Sequence, residues 1–417
     1  MQKLFELIQK DPAFKHIIAT FAAEKQQTLI YGLSGSQKAF AIALAFQQAP
    51  RPTVVITANR ETLQQLQNDF LTILPGTPVW EFVPGDIITF TTAASSIELT
   101  AKRLDVLSRM AKGYPAVFLV TAEAAMQKVL PKQQFINNRL TLTLGATLAL
   151  DELLKTLLSF GYERVDQVDG LGQFSVRGGI IDIFPVNREL PLRLELFGDE
   201  IDSLREFDLT TQRSLASVTE ADVLPLAEAQ YGNKTAAFLS YLPANSTVIF
   251  DEPSRLREQF GKLLRENPEI KDHVFDWPAL SAAAQNYNVQ YFSLLLQKIP
   301  YAEVSTIISV MAKGIAPFHR QNELLVNELT GWLERKFTVV ILLSTTDKAR
   351  ALQQGLKEED VTSTIVDPQH NLLVGQINLI IGTVTSGFEL PGARLAVISE
   401  QDIFGRQKKK RRPRVAK

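Results

Sequence analysis

A short segment near the N-terminus, residues 31–39, follows an apolar run, precedes an alanine-rich one and is close to a phosphate-binding loop. Such a loop reads G-x-x-x-x-G-K-[ST]: backbone amides surround the phosphates, the lysine reaches them and the hydroxyl binds Mg²⁺. Gly32 and Lys38 keep that spacing, with Gly35 between them. The segment predicts a strand, a loop and a helix in succession, which is how parallel α/β sheets are built.

Two positions depart from the motif. Gln37 stands in place of the second glycine, and its Cβ disfavours the left-handed backbone that such loops use. Ala39 replaces the hydroxyl residue and cannot coordinate a metal. Three interpretations are open: a chance glycine-rich turn, a working nucleotide site with unusual residues, or a phosphate-binding loop that has lost its function. The flanking strand and helix favour the last.

Composition excludes several kinds of chemistry. The chain has 417 residues, a formal net charge of −1 and no cysteine, so disulfides and thiol catalysis are excluded. Its four histidines are scattered without a paired spacing, which predicts no metal site. No apolar run is long enough to span a bilayer, and the charged N-terminal segment is unlike a signal peptide. These features predict a cytoplasmic protein.

The order of apolar segments predicts an α/β protein with an insertion. Residues 1–24 have a helical pattern, and strand patterns at 27–32, 53–57 and 116–121 then alternate with helical ones. From 173 to 207 strand patterns are separated by glycine turns, which predicts a small α+β insertion with an antiparallel meander. Residues 254–316 are predicted to be mostly helical or irregular. Alternation returns at 323–398 and predicts a parallel sheet.

Asp251 and Glu252 directly follow an apolar strand pattern at 247–250. In an ATP-driven motor, an acidic pair at this place holds Mg²⁺ and polarises water. The pair could instead begin a helix, because acidic residues are favoured at helix N-termini. The basic tail, 404–417, could contact phosphates or form a solvated linker.

Five segments together carry a resemblance to a known family. They are GLSGSQKA, GYERVDQVDGLGQFSVRGGIIDIFP, LRLELFGDEIDSLREFD, VIFDEPSRL and ISEQDIFGRQKKKRR. In this order they resemble the excision-repair protein UvrB and, more closely, the N-terminal UvrB-homology region of the bacterial transcription-repair coupling factors (Mfd). The resemblance covers essentially the whole chain.

The resemblance implies a P-loop (RecA/UvrB-like) parallel-sheet domain interrupted by a small α+β domain and followed by a second, smaller α/β domain. The domains implied are a first UvrB-like part at 25–131, an inserted UvrA-binding domain at 132–216, a second UvrB-like part at 1–24 and 217–316, a small α/β domain at 317–403 and a basic linker at 404–417.

For function, the resemblance implies a non-catalytic module without a cofactor or a metal, whose degenerate loop (Gly32, Gly35, Gln37, Lys38, Ala39) and vestigial acids (Asp251, Glu252) no longer bind ATP. Its middle domain is expected to bind UvrA around 162–164 and 175–184, through Arg164, Arg177 and Phe184. Ser175 stands where related sequences often have another arginine, so that contact is in doubt. From the residues alone, Arg177 could be a turn residue, Arg164 could pair with Asp166 or Glu163, and Phe184 could be core.

Family members also have an ATP-driven DNA translocase, which displaces stalled RNA polymerase, and an RNA-polymerase-binding domain. Both would follow the point where this sequence stops, so the chain is expected to be part of a longer enzyme. ATP, Mg²⁺, RNA polymerase and duplex DNA would belong to those missing domains, and this module would help restrain the motor by an intramolecular contact. The alternatives are a divergent ATPase using Lys38, Asp251 and Glu252, or a DNA-binding module.

Overall fold

The computed structural model describes residues 1–85, 97–226, 234–366 and 372–405. Its internal contacts divide the chain into two units. The first unit comprises Met1–Val79, Thr247–Ser254 and Tyr287–Lys417, and the second comprises Trp80–Ser246 and Arg255–Asn286. The five-part division implied by the sequence is finer than this one and stays a prediction.

The N-terminal part of the first unit begins with two helices where the sequence predicts one helical region. The break is at Asp11, whose carboxylate accepts a hydrogen bond from Ala13 N at 2.9 Å and so caps the second helix, with Pro12 at its first position. The elements are α1 Gln2–Ile8, α2 Pro12–Ala22, β1 Gln27–Tyr31, α3 Ser36–Gln48, β2 Thr53–Thr57 and α4 Arg60–Ile73.

The chain then builds most of the second unit. A six-stranded sheet contains the predicted meander: five of its strands run antiparallel, and a short edge strand pairs in parallel. The elements from here are β3 Val79–Phe82, α5 Ile97–Lys112, β4 Val117–Thr121, α6 Ala122–Met126, β5 Lys128–Val129, α7 Lys132–Asn137, β6 Leu140–Thr143, α8 Leu150–Ser159, β7 Glu163–Arg164, β8 Gln173–Arg177, β9 Ile180–Ile183, β10 Leu192–Phe197, β11 Glu200–Phe207, β12 Ser214–Ser217, β13 Glu220–Val223 and β14 Ala236–Ala237.

The middle of the chain completes the parallel sheet of the first unit. Its elements are β15 Thr247–Asp251, α9 Pro253–Glu266, α10 Trp277–Ala284, β16 Asn288–Ser293 and β17 Thr306–Ser309. Within the first unit the strands lie in the order β17-β1-β16-β15-β2, and the neighbours pair in parallel. Every residue of β2, β15 and β16 is buried, as expected for a parallel sheet covered on both faces.

The prediction that residues 254–316 are mostly helical or irregular missed a central strand, because β16 lies between β1 and β15. Its sequence, NVQYFS, breaks the apolar pattern with three buried polar residues, among them Asn288 and Gln290. Asn288 Nδ2 donates to the carbonyl oxygens of Thr20 (2.6 Å) and Ala23 (2.8 Å), and Gln290 Nε2 donates to Asn288 Oδ1 (2.6 Å). These hydrogen bonds satisfy the buried amides, so the strand tolerates them.

The C-terminal α/β part of the first unit has a sheet in the order β18-β22-β23-β19-β21-β20. Its four strands β23, β19, β21 and β20 are parallel as predicted, but β22 pairs antiparallel with both β23 and β18, so the sheet is mixed. The elements are β18 Lys313–Gly314, α11 Asn322–Glu334, β19 Thr338–Leu343, α12 Thr346–Glu358, β20 Ser363–Ile365, β21 Ile377–Ile381, β22 Phe388–Leu390, β23 Leu395–Ser399 and α13 Glu400–Phe404.

Candidate functional site

The degenerate loop and the acidic pair meet at one edge of the parallel sheet. Strands β1 and β15 run in the same direction with β16 between them, so the segments that follow them leave the sheet at the same edge. The loop 32–35 leads from β1 into α3, and Asp251 and Glu252 stand at the end of β15. This edge is where open α/β sheets bind ligands.

Lys38 forms a buried ion cluster with both acids. Its Nζ donates to Asp251 Oδ1 at 2.6 Å and to Glu252 Oε1 at 2.8 Å, and all three side chains are largely buried. Burial lowers the pKa of Lys38, but attraction to the two carboxylates and the hydrogen bonds to them outweigh it, so the pKa is raised. Lys38 therefore stays charged and engaged by protein groups.

Glu252 is held in place by backbone contacts as well. Its φ of 55° lies in the left-handed region, which is rare for a residue with a side chain. Its N–H donates to the carbonyl of Phe292 at 2.8 Å, and its Oε1 also accepts from Leu294 N at 3.0 Å. The surrounding strand and loop thus hold the carboxylate against Lys38.

The loop is closed on itself at the position where the motif loses its glycine. Ser34 N donates to Gln37 Oε1 at 2.9 Å, and Gln37 N donates back to Ser34 O at 3.2 Å. A phosphate-binding loop leaves such amides for the ligand. Gln37 lies in α3 with its side chain buried, and the left-handed φ values fall on Gly32 and Gly35. The residue that replaces the motif glycine thus occupies the amide of Ser34.

Gly32 is required by a close approach of the chain. A Cβ at this position would lie 2.1 Å from the carbonyl oxygen of Val310, and the φ of Gly32 is 94°. Both the space and the backbone angle exclude a larger residue. The group close to this glycine is protein backbone, on the residue after β17.

Asp69, on α4, is a buried acid beside the same site that sequence reasoning missed. Its Oδ1 accepts hydrogen bonds from Thr385 N (2.6 Å) and Thr385 Oγ1 (2.7 Å), and Ser36 is a further hydrogen-bond partner. Burial raises the pKa of Asp69 to about 6 in spite of these bonds. No motif marks Asp69, because its partner Thr385 is 316 residues away in sequence.

The free energy of unfolding is expected to depend on pH through Asp69. Its pKa rises from 3.8 in the unfolded chain to about 6 in the folded protein, so its contribution is fully present below pH 3.8 and is lost as the pH rises through 6. Up to about 3 kcal/mol is involved. Asp69→Asn should remove this loss, as urea unfolding of both proteins between pH 4 and 7 would measure. Parallel pH curves for wild type and variant would contradict the assignment.

The three residues predicted to face UvrA lie in different surroundings. Arg177 ends β8, and its half-exposed side chain donates from Nη2 to Asp182 Oδ2 at 2.6 Å. The carboxylate of Asp182 is also bound by Arg193, through Nε at 2.6 Å and Nη2 at 2.9 Å. Arg164 lies on β7 and is exposed, and among the described residues it has no ion-pair partner. The predicted alternative of pairing with Asp166 or Glu163 is not seen there.

The two predicted arginines lie on different faces of the sheet. Arg164 is paired in register with Phe174 of β8, and Arg177 follows Phe174 by three residues. Because side chains alternate along a strand, Arg177 lies on the face opposite to Phe174, together with Ser175. A partner that contacts both arginines would therefore have to reach around the edge of the sheet at β7.

Phe184 is a buried core residue. It is 7% exposed and packs in a cluster with Val168 and Phe207. Phe207 also receives the guanidinium of Arg193 over its ring at 4.5 Å. Ser175 is buried too, so its side chain is not offered to a partner. A role of Phe184 in binding stays a prediction, and its packing supports the alternative that it is core.

The sequence also led to predictions about a metal site, a membrane-spanning segment and the basic tail. Across residues 1–85, 97–226, 234–366 and 372–405, no group of three acidic, histidine or cysteine side chains is placed to hold a metal ion. In the same ranges no helix is long and apolar enough to cross a membrane. The basic run at 406–414 lies outside the described residues.

Comparisons with known proteins bear on the middle of the chain and on its whole length. Residues 140–228 match the family model of the UvrB interaction domain. The chain is 28% identical to the transcription-repair-coupling factor of Bacillus subtilis (strain 168), over 100% of the chain and 41% of that protein. It is 27% identical to the factor of Staphylococcus aureus (strain USA300), over 99% of the chain and 41% of that protein.

A solved structure, described as a hypothetical ATP-dependent RNA helicase from Sulfolobus tokodaii, aligns with 91% of this chain and 82% of its own. At 12% identity and a TM-score of 0.27, this likeness is too weak to support a conclusion. The resemblance that the sequence motifs predict is nonetheless confirmed. The chain contains a match to the UvrB interaction domain, and its entire length is similar to a segment that makes up about two fifths of the length of the transcription-repair coupling factors.

Proposed function

We propose that the chain acts in transcription-repair coupling as a non-catalytic module that recruits UvrA through the domain at 140–228. The observation that carries this proposal is the match of that domain to the UvrB interaction domain, within a similarity to transcription-repair coupling factors that extends over the whole chain. The chain spans 41% of the length of those relatives. We therefore propose the ATP-driven motor activity and the binding of RNA polymerase and DNA only for a longer protein that contains this module.

Recruitment is proposed to use the edge of the six-stranded sheet at β7. Arg164 is exposed there and has no ion-pair partner in the described part of the chain, so its guanidinium is available to form two hydrogen bonds with a carboxylate of a partner. Arg177 is bound to Asp182 and is half-exposed, so it is the weaker candidate. Arginine is enriched among the residues that dominate protein interfaces.

The module is proposed to act without nucleotide. Lys38 is bound by two carboxylates, the amide of Ser34 is bound by Gln37, and Ala39 offers no hydroxyl for Mg²⁺. Each of these groups would have to contact nucleotide or metal in a working site. The alternative of a divergent ATPase would require all three to rearrange.

Reversing the charge of Arg164 is expected to weaken binding of UvrA at least tenfold, about 1.4 kcal/mol. The physical reason is that a carboxylate at this position would repel an acidic partner surface. The measurement is calorimetric titration of purified UvrA into the wild-type chain and into Arg164→Glu, with melting temperatures recorded for both. Lys155→Glu, an equal charge reversal on the exposed side of α8, is the matched control.

Arg177 needs a different substitution, because glutamate would stand against the buried carboxylate of Asp182 and disturb the fold. Arg177→Gln removes the charge while Arg193 continues to neutralise Asp182. If wild type does not bind UvrA at all, the proposed recruitment is wrong. If the wild type binds UvrA and both arginine variants bind it as tightly as the wild type, recruitment stands but the binding surface is not at Arg164 and Arg177.

A further inference from the structure

The segment 382–387, between β21 and β22, contacts the first turn of α3 beside the degenerate loop; we call it the docking segment. Ser36 N donates to Ser386 Oγ at 3.1 Å, and Ser386 N donates to Ser36 Oγ at 3.0 Å. This reciprocal pair joins residues that are 350 positions apart. The backbone N–H of each serine is therefore hydrogen-bonded to the hydroxyl of the other.

Helix α4 supplies further acceptors to the docking segment. The N–H and the hydroxyl of Thr385 both donate to Asp69, and Thr383 N donates to Thr72 Oγ1 at 3.0 Å. Gly382 fits closely here, since a Cβ would lie 2.7 Å from Thr72 Cγ2. The contact is thus a specific set of hydrogen bonds along two helices.

Ser386 lies in the space that a phosphate would use. The first N–H groups of a helix have no partner within the helix and favour an anion in front of them. Here the N–H of Ser36 is taken by the hydroxyl of Ser386. Gly35, the N-cap of α3, has a φ of 50°, and a Cβ on it would lie 2.2 Å from Ser386 Oγ. An entering anion would have to displace Ser386.

Apolar packing stabilises the same arrangement. Phe40 of α3 and Phe388 of β22 are fully buried, and their rings meet edge to face with centroids 5.3 Å apart. Because Phe388 directly follows Gly387 at the end of the docking segment, the segment is anchored at that side by a core residue. Such an aromatic contact adds to the stabilisation from burial.

We propose that the degenerate phosphate loop has become the docking site for residues 382–387, so that the N-terminal and C-terminal α/β parts of the first unit are held together by a protein contact where other proteins of this loop type hold a ligand. The arrangement of these two parts then does not respond to nucleotide. The proposal is independent of UvrA recruitment.

The absence of cysteine from the chain gives a direct test. In Ser36→Cys/Ser386→Cys the two sulfur atoms would replace hydroxyl oxygens that are 3.4 Å apart, so a small side-chain rotation would bring them to about 2.05 Å, the length of an S–S bond. Mild oxidation should form an intramolecular disulfide, followed as loss of free thiols in the monomer. Its rate should be unchanged by Mg-ATP. The single variants, which can cross-link only between molecules, are controls.

A reference pair, Ser36→Cys/Ser363→Cys, places the second thiol at the start of β20. Ser363 pairs with Ile377, the first residue of β21, whereas the docking segment follows the last, about 13 Å along the strand. The proposed pair should cross-link at least tenfold faster than the reference. Equal rates, or a rate that Mg-ATP slows, would overturn the proposal.

A second measurement covers the case in which the cysteine pair fails to fold. Gly35→Ala introduces a Cβ against Ser386 Oγ, and Ser386→Gly removes that oxygen. The backbone strain of alanine at Gly35 is common to both backgrounds, so a double-mutant cycle isolates the contact. Gly35→Ala should lower the melting temperature more in the wild type than in Ser386→Gly. Equal losses in the two backgrounds would show that the segment does not dock.

Discussion

Replacing Lys38 with alanine is expected to lower the free energy of unfolding by about 3–5 kcal/mol. The substitution would leave Asp251 and Glu252 buried beside each other without the cation that both of them bind. An uncompensated buried charge is far more costly than a missing surface contact. Urea unfolding of the wild type and Lys38→Ala, monitored by circular dichroism, would measure the difference.

The matched control is Lys15→Ala, which removes an exposed lysine from α2 of the same unit and should change the free energy of unfolding by less than about 0.5 kcal/mol. A lysine that serves nucleotide binding is expected to behave in the opposite way: its loss abolishes stabilisation by Mg-ATP and leaves the unliganded protein nearly as stable. Lys38→Ala as stable as Lys15→Ala, together with stabilisation of the wild type by Mg-ATP, would therefore refute a structural role for this lysine.

Phe184→Ala is expected to destabilise the protein by about 3–5 kcal/mol, because it empties part of the cluster formed with Val168 and Phe207. The matched control is Phe197→Ala in the same sheet, where the ring is 83% exposed and its removal leaves no cavity. Thermal or urea unfolding of the two variants would separate core packing from surface contact.

The two roles considered for Phe184 predict different combinations of results. A core residue loses stability on truncation, and the affinity of the remaining folded protein for UvrA stays close to that of the wild type. A binding residue loses affinity and leaves the unfolding curve nearly unchanged. A folded, fully stable Phe184→Ala variant that no longer binds UvrA would therefore reverse the assignment made from its burial.

Much of the architecture follows from local sequence patterns. The strand Thr53–Thr57 lies in an apolar run, so its bounds are predicted correctly. The antiparallel meander is also predictable from local sequence, since Gly178 and Gly198 take positive φ values at the turns between its strands. In these segments the information lies within a few neighbouring residues.

Strand β16 shows where local patterns fail. Asn288 and Gln290 are buried only because acceptors at Thr20 and Ala23 come from the N-terminal helix and the residue after it, more than 260 positions away. A sequence pattern treats such amides as exposed. Predicting this strand would have required knowledge of the tertiary contacts that satisfy them.

The residues of the candidate site also fall into those that the sequence predicts and those that it does not. The spacing of Gly32 and Lys38 and the acids after an apolar strand allowed Lys38, Asp251 and Glu252 to be placed at one site. Asp69, Thr385 and Ser386 could not be found, because a threonine or a serine in a loop carries no signal of a partner more than 300 residues away.

The hydrogen bond between Ser34 and Gln37 bears on whether nucleotide binding could be restored by evolution. Restoring the motif with Gln37→Gly and Ala39→Thr would free one amide and supply one hydroxyl, but Lys38 would still be paired and Ser386 would still face α3. Nucleotide affinity would therefore not return with the consensus. On the proposal that this loop has lost its ligand, each protein group that now occupies a ligand contact adds to the changes that must occur together to restore binding, so the loss becomes progressively harder to reverse.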